Sequence, residues 1–170
     1  MGYSPAYARR LSERVQDETV AVIRALEKMK CRETLKSPYY DLLVAVSGIL
    51  TDFLVMGTSI SAKVREHDEV LEERISELRE KYPVPPPRVR REIARLERMK
   101  ITKVLNKSPE AISLGDLVSL LRLLAGKLLT LCFYEHLRRE EEKKTEEKSE
   151  TSEEETGEEE VEAEEEEEEG

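Results

Sequence analysis

From Pro5 to Lys30, apolar residues recur at Tyr7, Leu11, Val15, Val22, Leu26 and Met29. These spacings of three, four and seven place them along one side of a helix. Ser4 and Pro5 supply a cap and a first helical residue. A second helix, Ser37 to about Ile60, is expected to be the most buried, because Tyr40, Leu43, Val44, Val46, Ile49, Leu50, Phe53 and Leu54 leave it little polar surface. Gly57, Thr58 and Ser59 mark a break or kink. A third helix follows over Ala62 to Tyr82, striped by Val64, Leu71, Ile75 and Leu78 and charged elsewhere. Pro83-Val84-Pro85-Pro86-Pro87 ends it, since proline lacks the amide donor and restricts the residue before it. Arg88 to Leu105 reads as a fourth helix. Ser108-Pro109-Glu110 restarts the chain toward a fifth, roughly Leu114 to Arg139, whose Leu117, Val118, Leu120, Leu121, Leu124, Leu128 and Leu131 make it nearly as apolar as the second. No alternating run with turn signals appears. The expected fold class is therefore all-α: a single bundle of about five helices over residues 1–139, with Leu43, Val46, Leu50, Phe53, Ile93, Leu121 and Leu128 in its core.

Charge divides the chain in two. Residues 140–170 hold 19 of the 38 acidic side chains and only Lys143, Lys144 and Lys148 on the basic side, a net of −16. The preceding 139 residues carry a net of +6. The overall value of −10 therefore describes neither part, and the Glu-rich, low-complexity segment 140–170 is expected to be a disordered or at most transiently helical tail. The longest apolar stretch, Leu42 to Leu50, is bracketed by Asp41 and Asp52 and interrupted by Ser47 and Gly48, so no membrane span is expected. Charges among residues 1–14 fall where a signal peptide needs its apolar segment, which makes a cytoplasmic protein the expectation. Reduced thiols at Cys31 and Cys132 go with that compartment, although a lone bridge is compatible with a hyperthermophile. Such an origin fits the composition: 39% of residues are charged, and Gln16 and Asn106 are the only side-chain amides.

Candidate chemistry is sparse. No phosphate-cradling glycine loop, nucleophile elbow or metalloprotease pattern occurs, so an enzyme is not expected, nor a cofactor. Cys31, His67, Cys132 and His136 are the only metal arithmetic, and they lack the paired spacing of a structural zinc site, so no metal is expected. The informative segment is Arg88 to Lys103, in which seven basic side chains outnumber Glu92 and Glu97. On a helix, Arg88, Arg91, Arg95 and Arg98 share one side while Val89, Ile93, Leu96 and Val104 share the other. That strip is either a solvated face with local ion pairs or a contact for phosphates or a protein partner. No aromatic residue lies between Arg88 and Lys107 to stack a base, which favours backbone contact without sequence preference. The glutamates Glu164, Glu165, Glu166, Glu167, Glu168 and Glu169 form the densest part of the tail, which acts either as a solubilising appendage or as a regulatory polyanion competing for basic surfaces.

Two segments carry a family resemblance. Leu35-Lys36-Ser37-Pro38-Tyr39-Tyr40-Asp41-Leu42-Leu43, and then Arg91-Glu92-Ile93-Ala94-Arg95-Leu96-Glu97-Arg98-Met99-Lys100-Ile101-Thr102-Lys103-Val104-Leu105, resemble the helical domain of the archaeal GINS replication proteins. The resemblance implies a non-enzymatic accessory or scaffold subunit that joins sister subunits and links helicase or polymerase components of a replication complex. The chain departs from that family where a small β domain would adjoin the helical one, since only the acidic tail follows Arg139. An acidic-tailed accessory subunit of a family B DNA polymerase, and a helical nucleic-acid-binding or RNA-processing adaptor, are the alternatives. A HEPN-like ribonuclease ranks last, because its Arg-x4-His arrangement has no match. Protein subunits, with non-specific DNA backbone contact, are the expected partners, and no membrane.

Overall fold

A computed structural model describes the backbone of residues 4–166 and the side chains of residues 4–149. Seven α-helices are present among them: α1 (Pro5–Lys28), α2 (Arg32–Leu35), α3 (Pro38–Thr51), α4 (Ile60–Lys81), α5 (Pro87–Arg98), α6 (Ile101–Leu105) and α7 (Leu114–Glu166). A π-helical turn (Asp52–Met56) follows α3, and a 3-10 turn (Pro109–Ala111) precedes α7. No strand occurs among the described residues. The all-α class holds, with seven helices in place of about five. The chain forms two compact units, Met1–Cys132 and Phe133–Gly170.

Local chemistry explains where the extra boundaries fall. Ser4 Oγ accepts the Tyr7 amide at 3.2 Å, so α1 starts as its Ser-Pro signal implies. It ends at Lys28, Lys30 just beyond it adopts a left-handed conformation, and the chain turns directly into α2, a single turn that apolar periodicity does not mark. The second predicted helix stops being α-helical at Asp52. Its last turn widens to π geometry and is closed by Gly57 at φ 69°, whose amide donates to the Phe53 carbonyl at 3.1 Å. Phe53 is consequently half-buried, not central. The fourth predicted helix divides at Met99–Lys100 because side chains from α4 satisfy the freed backbone groups there. His67 Nε2 donates to the Met99 carbonyl at 2.9 Å, while Asp68 accepts the amides of Ile101 (2.8 Å) and Thr102 (3.1 Å) and the Thr102 hydroxyl (2.5 Å). Asp68 thus caps α6 from another helix, a long-range substitute for the local cap that Lys100 cannot provide.

Two apolar clusters result within the first unit. The larger joins Val15 and Leu26 of α1, Leu42, Leu43, Val46, Ile49 and Leu50 of α3, Val64 of α4 and Leu117, Leu120, Leu121, Leu124 and Leu128 of α7. Small hydroxyl residues let α1 and α3 approach closely: Thr19 Oγ1 donates to the Val15 carbonyl at 2.8 Å and lies 3.2 Å from Ser47 Oγ. The smaller cluster holds Leu71 and Ile75 of α4 against Leu96 and Met99, with Ile93 half-buried beside them. It forms the inside of a helical hairpin in which α5 returns along α4. Of the expected core, Leu43, Val46, Leu50, Leu121 and Leu128 are buried in the larger cluster, whereas Ile93 sits at the margin of the smaller one.

Helix α7 opens with a reciprocal cap. Ser113 Oγ accepts the Asp116 amide at 3.1 Å, and Asp116 accepts the Ser113 amide at 2.9 Å and Lys107 Nζ at 2.9 Å. Residues 140–149 of the expected disordered tail continue this helix. Glu140 and Lys144, and Lys143 and Glu147, have the i,i+4 spacing that supports a helical turn. By length and composition, Pro38–Met56 and Leu114–Ser149 are both apolar enough to cross a membrane. The expectation that no segment fits is corrected, because a helical window tolerates the flanking carboxylates Asp41 and Asp52 and the interior Ser47 and Gly48. Their buried residues, among them Leu42, Val46, Leu50, Leu117, Leu121 and Leu128, belong to one apolar cluster.

Cys31, buried at the α1–α2 turn, is disulfide-bonded to buried Cys132 on α7, with Cα atoms 5.4 Å apart and a separation of 101 positions in sequence. The expectation of reduced thiols gives way to this bridge, because the fold brings the two Cα atoms within bonding range. Closing so long a loop restricts the unfolded chain by about 4–5 kcal/mol. A Cys31→Ala/Cys132→Ala variant is expected to melt on the order of 10 °C or more below the native chain. Differential scanning calorimetry checks this, and an unchanged melting temperature would show that the bridge is not formed in solution.

Candidate interaction surface

Helix α5 buries Val89 and Leu96 and turns its basic residues away from them. Starting at Pro87, which is tolerated at the first helical position, it has no acidic residue in its first turn and Arg95 and Arg98 in its last. The four predicted arginines do not act as one group. Arg95 is half-buried and donates to Asp41 of α3 at 2.5 Å, with Glu92 at 3.8 Å. It ties the hairpin to α3 and is withdrawn from any partner. Arg88 donates to the Tyr82 hydroxyl at 3.4 Å and lies 5.7 Å from the centre of its ring. Lys81 approaches the same ring at 5.6 Å. Arg91 and Arg98, with the neighbouring Arg90, are exposed with no ion pair among the described residues; Arg88 is likewise exposed and has no ion pair, but its guanidinium is engaged by Tyr82.

The aromatic neighbour of this strip lies outside the stretch from Arg88 to Lys107 in which the sequence shows none. Tyr82 stands immediately before the proline run, and the turn brings it back beside α5, so a cation–π group of Lys81, Tyr82 and Arg88 marks the hairpin end. An open groove of about 470 Å³ adjoins it, lined by Arg79, Tyr82, Pro83, Pro85, Arg90 and Ile93. Val84 at the tip is almost wholly exposed. The surface offers guanidinium groups and one phenol ring, a combination suited to phosphates or carboxylates.

The other end of the hairpin is electrostatically closed. Lys100, with 12% of its side chain exposed, pairs with Glu72 and with Glu97, and Glu97 also pairs with Lys103. The Lys103 hydrogen bond is the main influence holding the Glu97 carboxyl below its ordinary value; burial opposes it and Lys100 adds to it. For Lys100, burial disfavours the charged form, but Glu72 and Glu97 together outweigh it and its pKa is raised. At the start of α7, the Ser113 amide and then Lys107 hold Asp116 low.

The four candidate metal ligands are not brought together. Cys31 and Cys132 are bonded to each other, His67 is engaged with the Met99 carbonyl, and His136 lies 3.6 Å from Glu140. No group of three His, Cys, Asp or Glu side chains placed to hold a metal occurs among the described residues. Of the tail glutamates, Glu164, Glu165 and Glu166 end the described backbone, and Glu167, Glu168 and Glu169 lie outside the described residues.

Comparison with protein-family models, characterised proteins and solved structures finds no match to this chain.

The charge network sets an acid limit. Glu97 and Asp116 have depressed folded-state pKa values, so their contribution is present above the ordinary values of 4.5 and 3.8 and is lost as pH falls through the native ones. Lys100 contributes in the opposite sense: its share is present below 10.5 and is lost as pH rises through its raised native value. Glu97→Gln is expected to cost roughly 1 kcal/mol near neutrality. Urea midpoints for native and variant chains should converge as pH falls below 4.5 and through the depressed native value of Glu97. A gap that stays constant with pH would mean the Glu97 charge contributes nothing.

Proposed function

We propose that this protein is a non-enzymatic accessory or scaffold subunit of a DNA replication complex, GINS-like in the order of its helices, in which the acidic tail modulates access to DNA. The observation that carries the reading is charge segregation. Arg90, Arg91 and Arg98 stand exposed on a rigid hairpin, while the same chain ends in a segment of net −16. Three unpaired guanidinium groups on a helix attract a phosphate backbone without reading sequence. A tethered polyanion competes for the same cations at an effective concentration near millimolar. The Arg95–Asp41 tie supports the reading indirectly, because it anchors the presenting helix to α3 and leaves Arg91 and Arg98 free. The chemistry of the hairpin end, phenol and guanidinium with no paired acid and base, favours binding over turnover. A cytoplasmic location and a thermophilic, archaeal origin belong to the same proposal.

Arg91→Glu/Arg98→Glu in the full chain is expected to weaken duplex DNA binding and to lower the slope of log affinity against log salt by about two, one for each phosphate no longer neutralised. Arg95→Ala should instead lower stability while leaving that slope unchanged. Fluorescence anisotropy across a salt series, with cross-linking to fork proteins from the host, makes the test. An unchanged salt slope in the double variant rules out phosphate contact by α5.

A further inference from the structure

The groove at the end of the α4–α5 hairpin combines two kinds of wall. Tyr82, Pro83, Pro85 and Ile93 give it an apolar side, built largely of rings, while α4 contributes Arg79 and α5 contributes Arg90. Among the described residues that line it, none is acidic. Across residues 79–94 five cations stand against Glu80 and Glu92, and Glu92 lies 3.8 Å from Arg95. Arg79 pairs with Glu97 at 3.9 Å, the outer limit of an ion pair, and more than half of its side chain is exposed. Arg90 has no ion pair among the described residues. Lys81 and Arg88 add positive charge beside the Tyr82 ring, at 5.6 and 5.7 Å from its centre. A stacked group sits closer than that, at roughly 4 Å, and Tyr82 borders open space.

We infer that this groove is a binding site for an unpaired nucleotide of a nucleic-acid strand, its base laid against Tyr82 and the prolines and its phosphates held by Arg79 and Arg90. The inference rests on the reading of α5 as a phosphate-contacting surface and names the form of nucleic acid that the hairpin end takes. Three features select the occupant. The excess of cations selects an anion. An aromatic ring beside guanidinium groups takes a base by its face, whatever the sequence, because every base has a π-face. Within a duplex that face is stacked on its neighbours, so only an unpaired base can present it. An acidic peptide matches the charge but not the walls. A peptide laid along a groove is commonly held through its backbone, and Pro83, Pro85, Pro86 and Pro87 have no amide to donate to it. Base stacking needs no such donor.

The test uses the full chain and two strands of equal length and charge, a short oligothymidylate and the same backbone without bases, compared by fluorescence anisotropy. Native protein is expected to bind the base-bearing strand at least about tenfold more tightly, equivalent to ~1.4 kcal/mol. Tyr82→Leu fills the space of the ring without its flat face and should erase that preference while keeping the salt dependence. Tyr82→Phe, which retains the ring and loses only the hydroxyl beside Arg88, should keep the preference. Arg79→Gln/Arg90→Gln should weaken both strands alike and flatten the salt dependence. Melting curves of the variants, matched to the native one, separate these effects from loss of fold. Equal binding of the two strands by native protein overturns the inference, as does a Tyr82→Leu chain that still prefers bases. An oligoglutamate of equal charge that displaces the oligothymidylate with the same affinity assigns the groove to an acidic protein and also overturns it. Absence of a base preference in a chain that keeps its salt slope on duplex DNA defeats the groove alone. A base preference seen with oligouridylate and not with oligothymidylate upholds the groove and defeats the DNA replication reading alone.

Discussion

The broad apolar face of helix α3 cannot be left to water, and the first unit is arranged around that constraint. Six of its fourteen residues are buried, spread over one broad face of the helix, and each large apolar side chain that is fully covered contributes on the order of 2 kcal/mol. One neighbouring helix could cover only one stripe. Helices α1, α4 and α7 therefore all contribute to the cluster that surrounds it. The surroundings also explain the hydroxyl residues: where Thr19 and Ser47 meet, the backbones of α1 and α3 are close, and each hydroxyl finds a partner in the other or in a carbonyl. The widened turn after Thr51 ends this helix, and it is there that Val55 and Met56 turn out to solvent.

The α4–α5 hairpin works on a different principle. Its apolar cluster is small, and polar side chains do much of the joining: His67 and Asp68 grip the α5–α6 corner, Arg95 reaches Asp41, and Lys100 sits between two carboxylates. Such bonds are directional, so they hold the corner in one arrangement where a few aliphatic contacts would permit several. The consequence for function is that α5 presents its exposed arginines from a fixed position. Half of the sequence-visible basic strip is used to build the structure and half is left to act.

What the sequence made legible follows from which interactions are local. Apolar periodicity located α1, α3, α4 and α7 and most of the buried leucines, because a helix declares its face every three or four residues. Ser4-Pro5 announced a helix start for the same reason. The division at Lys100 was not legible, since its cause, Asp68, lies more than thirty residues away and looks like any acidic residue of a charged helix. The single turn α2 is too short to show a period. The disulfide depended on a distance between Cys31 and Cys132 that only the packed fold defines. At the candidate surface, the strip of arginines was visible, but the fate of each was not: Arg95 and Arg91 have the same chemistry and the same face, and only the position of Asp41 separates them. Tyr82 was missed because the turn carries it across the prolines to Arg88, a contact with no periodic signature.

The bridge between Cys31 and Cys132 also governs how force travels through the chain. A pull on the acidic end reaches Cys132 and passes through the sulfur atoms to Cys31, bypassing the whole span of chain between them. Helices α3 to α6, the hairpin and the exposed arginines all lie inside that bypassed loop. If the C-terminal segment is held by one moving component while the residues before Cys31 are held by another, the load is borne by α1, the bridge and the last helix. A cut in the backbone within the loop likewise leaves a single covalent molecule. The surface that α5 presents is mechanically insulated from whatever grips the two ends.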